Sequence, residues 1–152
     1  MKTMAREPDT AELLQRLRQI RPDSGRQWGK MTAHQMVCHL TDCCRMALGE
    51  NPVKDVSSLP QRTIVKWIAL YAPLRWPMGL ETTPETNQHV GGTCPTDFSA
   101  DLADLENQME RVAARGHDSK WPRHPIFGSM SARAWLRWAY LHTDHHLRQF
   151  GE

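Results

Sequence analysis

Apolar side chains recur three and four residues apart in several segments of this sequence, which is the pattern of amphipathic helices. No segment shows a convincing β-strand alternation, although residues 61–72, rich in β-branched and aromatic residues, would also suit a buried strand. The spacing predicts helices over residues 9–20, from a cap at Thr32 to Gly49, over 61–72, from Ser99 to Gly116 and from Ser131 to Gly151. We therefore expect an all-α fold, most simply a four-helix bundle with an additional short helical segment and long loops.

Capping residues set most of these boundaries. Asp9 with Glu12 and Thr32 with Gln35 have the spacing of capping boxes, and Ser99 and Ser131 are the other predicted N-caps. Pro22 and Gly25 end the first helix, the third ends before Pro73, and the other three stop at Gly49, Gly116 and Gly151. Residues 77–98 have no periodicity, and a loop of this length in a compact domain is usually functional or mobile.

The 152 residues suit a single domain over 1–152. A formal net charge of +2, scattered along the chain, argues against nucleic acid as a partner. The most apolar stretch, IVKWIALYAPL, is interrupted by Lys66 and stopped by Pro73, so no membrane span is predicted. The first ten residues have no export-type apolar run, and the four cysteines form no C-x-x-C pair, so we expect a cytoplasmic protein with reduced thiols.

Histidines are the side chains that indicate chemistry. His142 and His146 lie four residues apart on the apolar face of the last predicted helix, a spacing that lets two imidazoles bind one ion. On the second helix His39 borders the core, whereas His34 lies on the polar side. The same helical projection directs His146 more squarely inward than His145.

Side chains near these histidines suggest supporting roles. Asp42 and Gln35 share the polar flank of His39 and are candidates to fix its tautomer, and Gln149 is the corresponding candidate on the last helix. Cys43, four residues after His39, is an alternative fourth ligand, but a core thiol is the simpler interpretation. A plain packing role also fits each histidine taken alone, as it fits the pair Trp135 and Trp138. Among the remaining histidines, His145 is expected to be exposed or supporting, and His34, His89 and His117 are expected to be solvated.

Three motifs give the chain a family resemblance: WGKMTAHQMVCHL, HPIFGSMS and YLHTDHHLRQFG. At these motifs it resembles the DinB and YfiT-like superfamily of small bacterial four-helix bundles, in particular a branch of unknown function that ends in HxxHHLRQFG. The resemblance covers the second quarter and the last fifth of the chain. Residues 52–97 show no matching motif, and substrate choice is expected to reside there.

In that superfamily a divalent ion, often zinc or nickel, is held by one histidine of the second helix and two of the last. Carried onto matching positions, the ligands are His39, His142 and His146. The resemblance implies a metal-dependent enzyme, foremost a thiol-dependent S-transferase that uses a low-molecular-weight thiol. A metal-dependent hydrolase and a non-catalytic metal-binding or structural homodimer are the alternatives. Asp42 and His145 are the candidate proton carriers for a small-molecule substrate.

Overall fold

The computed structural model of the chain describes residues 1–80, 82–116 and 119–152, and these residues are helical and irregular with no strand. One isolated bridge pairs His124 with Gly128. The α-helices are α1 (Glu7–Leu17), α2 (Ala33–Leu48), α3 (Lys66–Tyr71), α4 (Phe98–Ala114) and α5 (Ala132–Gln149), with a π-helical turn at Gln61–Val65 and a 3-10 turn at Pro84–Thr86. The all-α prediction is confirmed. Residues 61–71 are helical, so the strand alternative for this segment is excluded.

The ends of α2 and α5 follow from their capping residues as predicted. Thr32 Oγ1 accepts a hydrogen bond from the Gln35 N–H at 3.1 Å, and Gln35 Oε1 accepts one from the Thr32 N–H at 2.9 Å. Gly49 then ends α2 at φ 82°, in the left-handed region that glycine adopts most readily. Ser131 caps α5 by accepting from the Ala134 N–H at 3.2 Å, and Gly151 follows the helix at φ 89°.

The predicted start and end of α1 were wrong. The helix begins at Glu7 after Arg6, which makes no side-chain cap, and it ends at Leu17 rather than at residue 20. Pro8 suits the first turn, because the N–H that proline lacks would have had no partner within the helix. Asp9 lies inside the helix, and its carboxylate accepts from the Thr3 N–H at 3.0 Å instead of forming a capping box.

Both predicted ends of α4 also need correction. Asp97 is the N-cap, since its Oδ1 accepts from the Ala100 N–H at 2.8 Å, and the Ser99 hydroxyl donates to that same oxygen at 2.7 Å. At the other end Arg115 leaves the helix with an extended ψ of 114°. Gly116 is not among the glycines with positive φ, so it does not close the helix in the left-handed conformation.

The long helices pack through their apolar faces. The helix α2 lies along α4, and α5 contacts both α1 and α2. The side chains buried between them are aliphatic and aromatic and include Leu13, Leu17, Met36, Leu40, Leu105, Met109, Trp135 and Leu147. The short helix α3 packs on α5, and the 3-10 turn packs on α2. Among the helices of the described residues, none has the length and apolar character needed to cross a membrane.

Candidate metal centre

Three histidine rings converge between α2 and α5. His39 comes from α2, and His142 and His146 lie one turn apart on α5. One ring nitrogen from each histidine lies within 4.8 Å of the other two, and the Nε2 atoms of His39 and His142 are 3.4 Å apart. His39 and His146 are buried, whereas His142 is partly exposed. Helix packing therefore brings together the three side chains that the sequence suggested as metal ligands.

Hydrogen bonds at Nδ1 fix the tautomers of the two buried rings. His39 Nδ1 lies 2.7 Å from the Thr86 carbonyl oxygen, which can only accept, so the ring proton is on Nδ1 and Nε2 keeps its lone pair. His146 Nδ1 lies 2.9 Å from Gln149 Oε1. The amide of Gln149 is oriented by its own donation to the Trp28 carbonyl at 2.8 Å, so Oε1 is the acceptor and His146 Nε2 is also free.

Burial keeps these rings neutral. Desolvation lowers the pKa of His39, against the raising effects of the Thr86 hydrogen bond and the Asp42 charge. Desolvation holds the pKa of His142 well below its usual value, and repulsion from the protonated forms of His146 and His39 lowers that pKa further. Burial also holds the pKa of His146 well below its usual value. Neutral imidazole is the form that binds a metal ion.

A pocket of about 580 Å³ includes all three histidines in its wall. Its other lining residues come from Met31, α2, the segment 61–86, the HPIF motif and α5, and most of them are apolar. Trp138 lies on this wall and stacks on His142 with ring centroids 4.7 Å apart and an interplanar angle of 13°. Arg75 is an exposed cationic side chain of the lining, and none of the described lining residues is a carboxylate.

Comparison with known proteins places the chain in a family. A family model described as "Protein of unknown function (DUF1569)" matches residues 5–152. The chain belongs to this family. Searches of the curated proteins and of the solved structures found no match. Within the DUF1569 chain, the matched span contains all three converging histidines and every helix described above.

In this DUF1569 chain Asp42 and Gln35 are engaged elsewhere and do not have the predicted role of fixing the His39 tautomer. The carboxylate of Asp42 accepts hydrogen bonds from Gln88 Nε2 at 2.9 Å and from Thr93 N–H and Oγ1 at 2.8 Å and 2.6 Å. Gln35 completes the capping box of α2, and its Nε2 lies 3.3 Å from His89 Nε2. The tautomer of His39 is instead fixed by a backbone carbonyl, which no side-chain pattern indicates. The predicted partnership of Gln149 with His146 is present.

The remaining histidines depart from expectation in part. His145 is as buried as His146, at 6% and 7% exposed, and it lines the pocket edge-on to His146 with ring centroids 5.3 Å apart. Its buried Nδ1 has no hydrogen-bond partner within the described part of the chain. His34 is not solvated, because its Nε2 pairs with Asp101 Oδ2 at 2.7 Å. His89 is exposed as predicted, and His117 lies outside the described residues.

Cys43, Trp135 and Trp138 are buried as a packing role predicts, and two of them also contact the metal-site histidines. Cys43 is buried, and burial raises the pKa of its thiol well above the usual value, as expected of a core thiol. Its Sγ nevertheless lies 3.8 Å from His39 Nε2. Trp135 is fully buried and donates from Nε1 to the Pro122 carbonyl at 3.1 Å. Trp138 packs edge-to-face on Trp135 and also orients His142, which the sequence did not reveal.

His124 lines the pocket but was not predicted as a site residue, although it begins the HPIFG motif. It is 2% exposed, and its Nδ1 accepts from the N–H groups of Ile126 and Phe127, both at 3.1 Å. The ring proton is therefore on Nε2, which is buried without a hydrogen-bond partner in the described chain. Burial lowers the pKa of His124 to about 3, so it contributes a neutral N–H group to the wall beside Trp138.

Proposed function

We propose that this DUF1569 chain is a metal-dependent enzyme of the DinB and YfiT-like superfamily, a four-helix bundle that binds one zinc or nickel ion. The proposed ligands are His39, His142 and His146. The observation that carries the proposal is their convergence, with the Nε2 lone pairs of His39 and His146 left free by hydrogen bonds at Nδ1. Metal-binding histidines are usually oriented in this way by a carbonyl or amide partner at the other nitrogen.

The residues present fit a divalent ion with open coordination positions. Three imidazoles leave at least one position of a tetrahedral ion for an exogenous ligand, as in catalytic rather than structural sites. The pocket of about 580 Å³ provides room for that ligand. An ion held there would act as a Lewis acid that lowers the pKa of a bound thiol or water.

The acidity of the two candidate nucleophiles favours a thiol over water. A free thiol has a pKa of about 8.5, whereas that of bulk water is about 15.7, so a thiol needs less help to lose its proton. This supports S-transfer ahead of hydrolysis.

In the proposed transfer, His145 is the proton acceptor. It lines the pocket beside His146, and its Nδ1 is buried without a partner in the described residues. Burial lowers the pKa of His145, so the ring is neutral near pH 7 and free to accept a proton. The thiol proton passes to His145, the sulfur forms a bond to the electrophilic carbon, and the leaving group departs with the bonding electron pair.

The lining also suggests what the reactants look like. Most lining side chains are apolar, which suits an apolar electrophile, and Arg75 offers a cationic contact for an acidic group on a low-molecular-weight thiol. A homodimer in the cytoplasm remains our expectation for the assembly. Exposed apolar side chains on residues 59–74, among them Leu59, Ile64, Trp67 and Leu74, support pairing, and buried free cysteines suit a reducing compartment.

Metal analysis of the purified protein tests the proposal. We expect about one zinc or nickel ion per chain in the histidine site, and its loss in His142→Ala. His89→Ala is the matched control, because it removes an exposed histidine that does not line the pocket. Equal metal content in the two variants would refute the site. Thiol-transfer assays with a panel of thiols and electrophiles then separate enzyme from binder, since a metal-loaded protein without turnover would support the non-catalytic alternative.

A further inference from the structure

A second set of metal-binding side chains lies between α2 and the first turn of α4. It consists of His34 and Cys38, one turn apart on α2, and Asp101 on α4. A nitrogen, a sulfur and an oxygen from these residues all lie within 4.8 Å of one another. The Asp101 Oδ2 atom is 2.7 Å from His34 Nε2 and 3.7 Å from Cys38 Sγ.

This set is separate from the three-histidine centre. His34 precedes His39 by five residues, which places the two side chains about 140° apart around the helix axis. The helix α2 therefore carries two His-x-x-x-Cys pairs on different faces, His34 with Cys38 and His39 with Cys43. The first pair faces α4 and Asp101, and the second faces the pocket.

The local structure holds the three donors in place. Asp101 Oδ2 also accepts from the Thr96 N–H at 3.0 Å, which ties the segment before α4 to the carboxylate. The His34 ring packs edge-to-face on Phe98 with centroids 5.3 Å apart. Cys38 is buried, while His34 and Asp101 each retain 20% of their side-chain exposure, so an ion can reach the set from solvent.

We propose that His34, Cys38 and Asp101 form a second metal site that binds a thiophilic divalent cation, zinc in the first place. Imidazole, thiolate and carboxylate are all common zinc ligands, and the thiolate selects against magnesium and calcium. On binding, the cation replaces the thiol proton of Cys38, which is released to solvent, and takes the position now held by the hydrogen bond from His34 to Asp101. The bound ion would link α2 to the start of α4, and the fourth position is left to water.

Cobalt(II) binding to the full chain tests the second site, because a cobalt–thiolate bond absorbs in the near ultraviolet and a cobalt–imidazole bond does not. The titration uses chelator-treated protein carrying Cys94→Ser, which removes the exposed thiol. We expect two ions per chain and a thiolate band that survives Cys43→Ser and His142→Ala. Cys38→Ser should abolish the band, and His34→Gln should weaken binding of that ion by about tenfold or more.

Several results would overturn the second site. A band that survives Cys38→Ser would show that another cysteine supplies the thiolate, and a band that disappears in Cys43→Ser would assign the thiolate to the histidine centre. A single ion per chain that is lost in His142→Ala would leave only that centre. Circular dichroism of each variant shows whether it is folded, and His34→Gln keeps the test open if Cys38→Ser fails to fold. Loss of the ion in His142→Ala with the thiolate band intact would separate the two sites.

Discussion

Replacing Gln149 with leucine removes the one side chain that orients His146 at Nδ1. Gln149 is 3% exposed, accepts from His146 Nδ1 at 2.9 Å and donates to the Trp28 carbonyl at 2.8 Å. Leucine has a similar volume but no hydrogen-bonding atom, so the ring loses its acceptor and its fixed tautomer. If His146 is a metal ligand, Gln149→Leu should lower zinc affinity by about 10- to 100-fold, or about 1.4 to 2.7 kcal/mol.

The structure offers a matched control at Gln108. This residue is a buried glutamine of α4 at 6% exposed, hydrogen-bonded to Asp104 and Arg111, and it does not line the pocket. Gln108→Leu therefore also removes a buried amide, with its stability cost of about 1 to 3 kcal/mol, but leaves the histidine centre untouched. Zinc affinity is measured by competition with a chelator of known affinity, and folding by urea denaturation.

The comparison of the two leucine variants tests whether the Gln149 hydrogen bond supports His146 as a metal ligand. We expect both to unfold at lower urea and only Gln149→Leu to bind zinc more weakly. Equal zinc affinity in the two variants would show that the hydrogen bond at Nδ1 does not serve a metal ligand. A tenfold loss in both would attribute the effect to general loosening of the fold rather than to the orientation of His146.

Three further predictions concern stability. The pKa of His124 is about 3 in the folded protein and about 6.5 in the unfolded chain, so the unfolded state binds more protons between these pH values. The free energy of unfolding should therefore fall as the pH drops below about 6.5, by up to about 5 kcal/mol. The urea midpoint should fall less steeply with pH in His124→Asn than in the unchanged protein. Asp97→Ala should lower the free energy of unfolding by about 1 kcal/mol and Ser99→Ala by less, because only Asp97 accepts from the Ala100 N–H. Thermal unfolding of the two variants measures the difference. Gly49→Ala should lower the free energy of unfolding by about 1 kcal/mol because alanine adopts the left-handed φ unfavourably. No steric clash adds to this effect, since a Cβ at this position meets no atom within 4 Å. An unchanged melting temperature would contradict the prediction.

Local signals in the sequence determined most of the helices. The capping box at Thr32 and the glycine at 49 placed both ends of α2, because these ends depend on side chains within a few residues. The prediction of the N-terminus of α1 was wrong because this end depends on a contact outside the helix. Asp9 and Glu12 have the right spacing, but Pro8 lets the helix start earlier, and Asp9 finds its partner in the chain at Thr3.

Some features of the candidate site could also be predicted from local spacing, and others depend on tertiary packing. The pair on α5 and the partner of His146 were predictable, because residues three or four apart on one helix must be neighbours. His39 needed the resemblance as well, since periodicity alone does not show which helices meet. The Thr86 contact with His39 and the burial of His145 against Trp28 and Trp76 depend on how loops pack on the helices, and no local spacing encodes them.

The loop 77–98 shows why Asp42 was misassigned and what it contributes. Asp42 lies close to His39 on α2, so a direct contact was a reasonable expectation. Its carboxylate instead binds Gln88 and Thr93, which lie just after the turn whose Thr86 carbonyl orients His39. A buried carboxylate with three hydrogen bonds is well suited to anchor an otherwise irregular segment. Asp42 therefore holds the loop that carries the Thr86 carbonyl, so a part of the chain without a recognisable motif supplies the hydrogen-bond partner of His39.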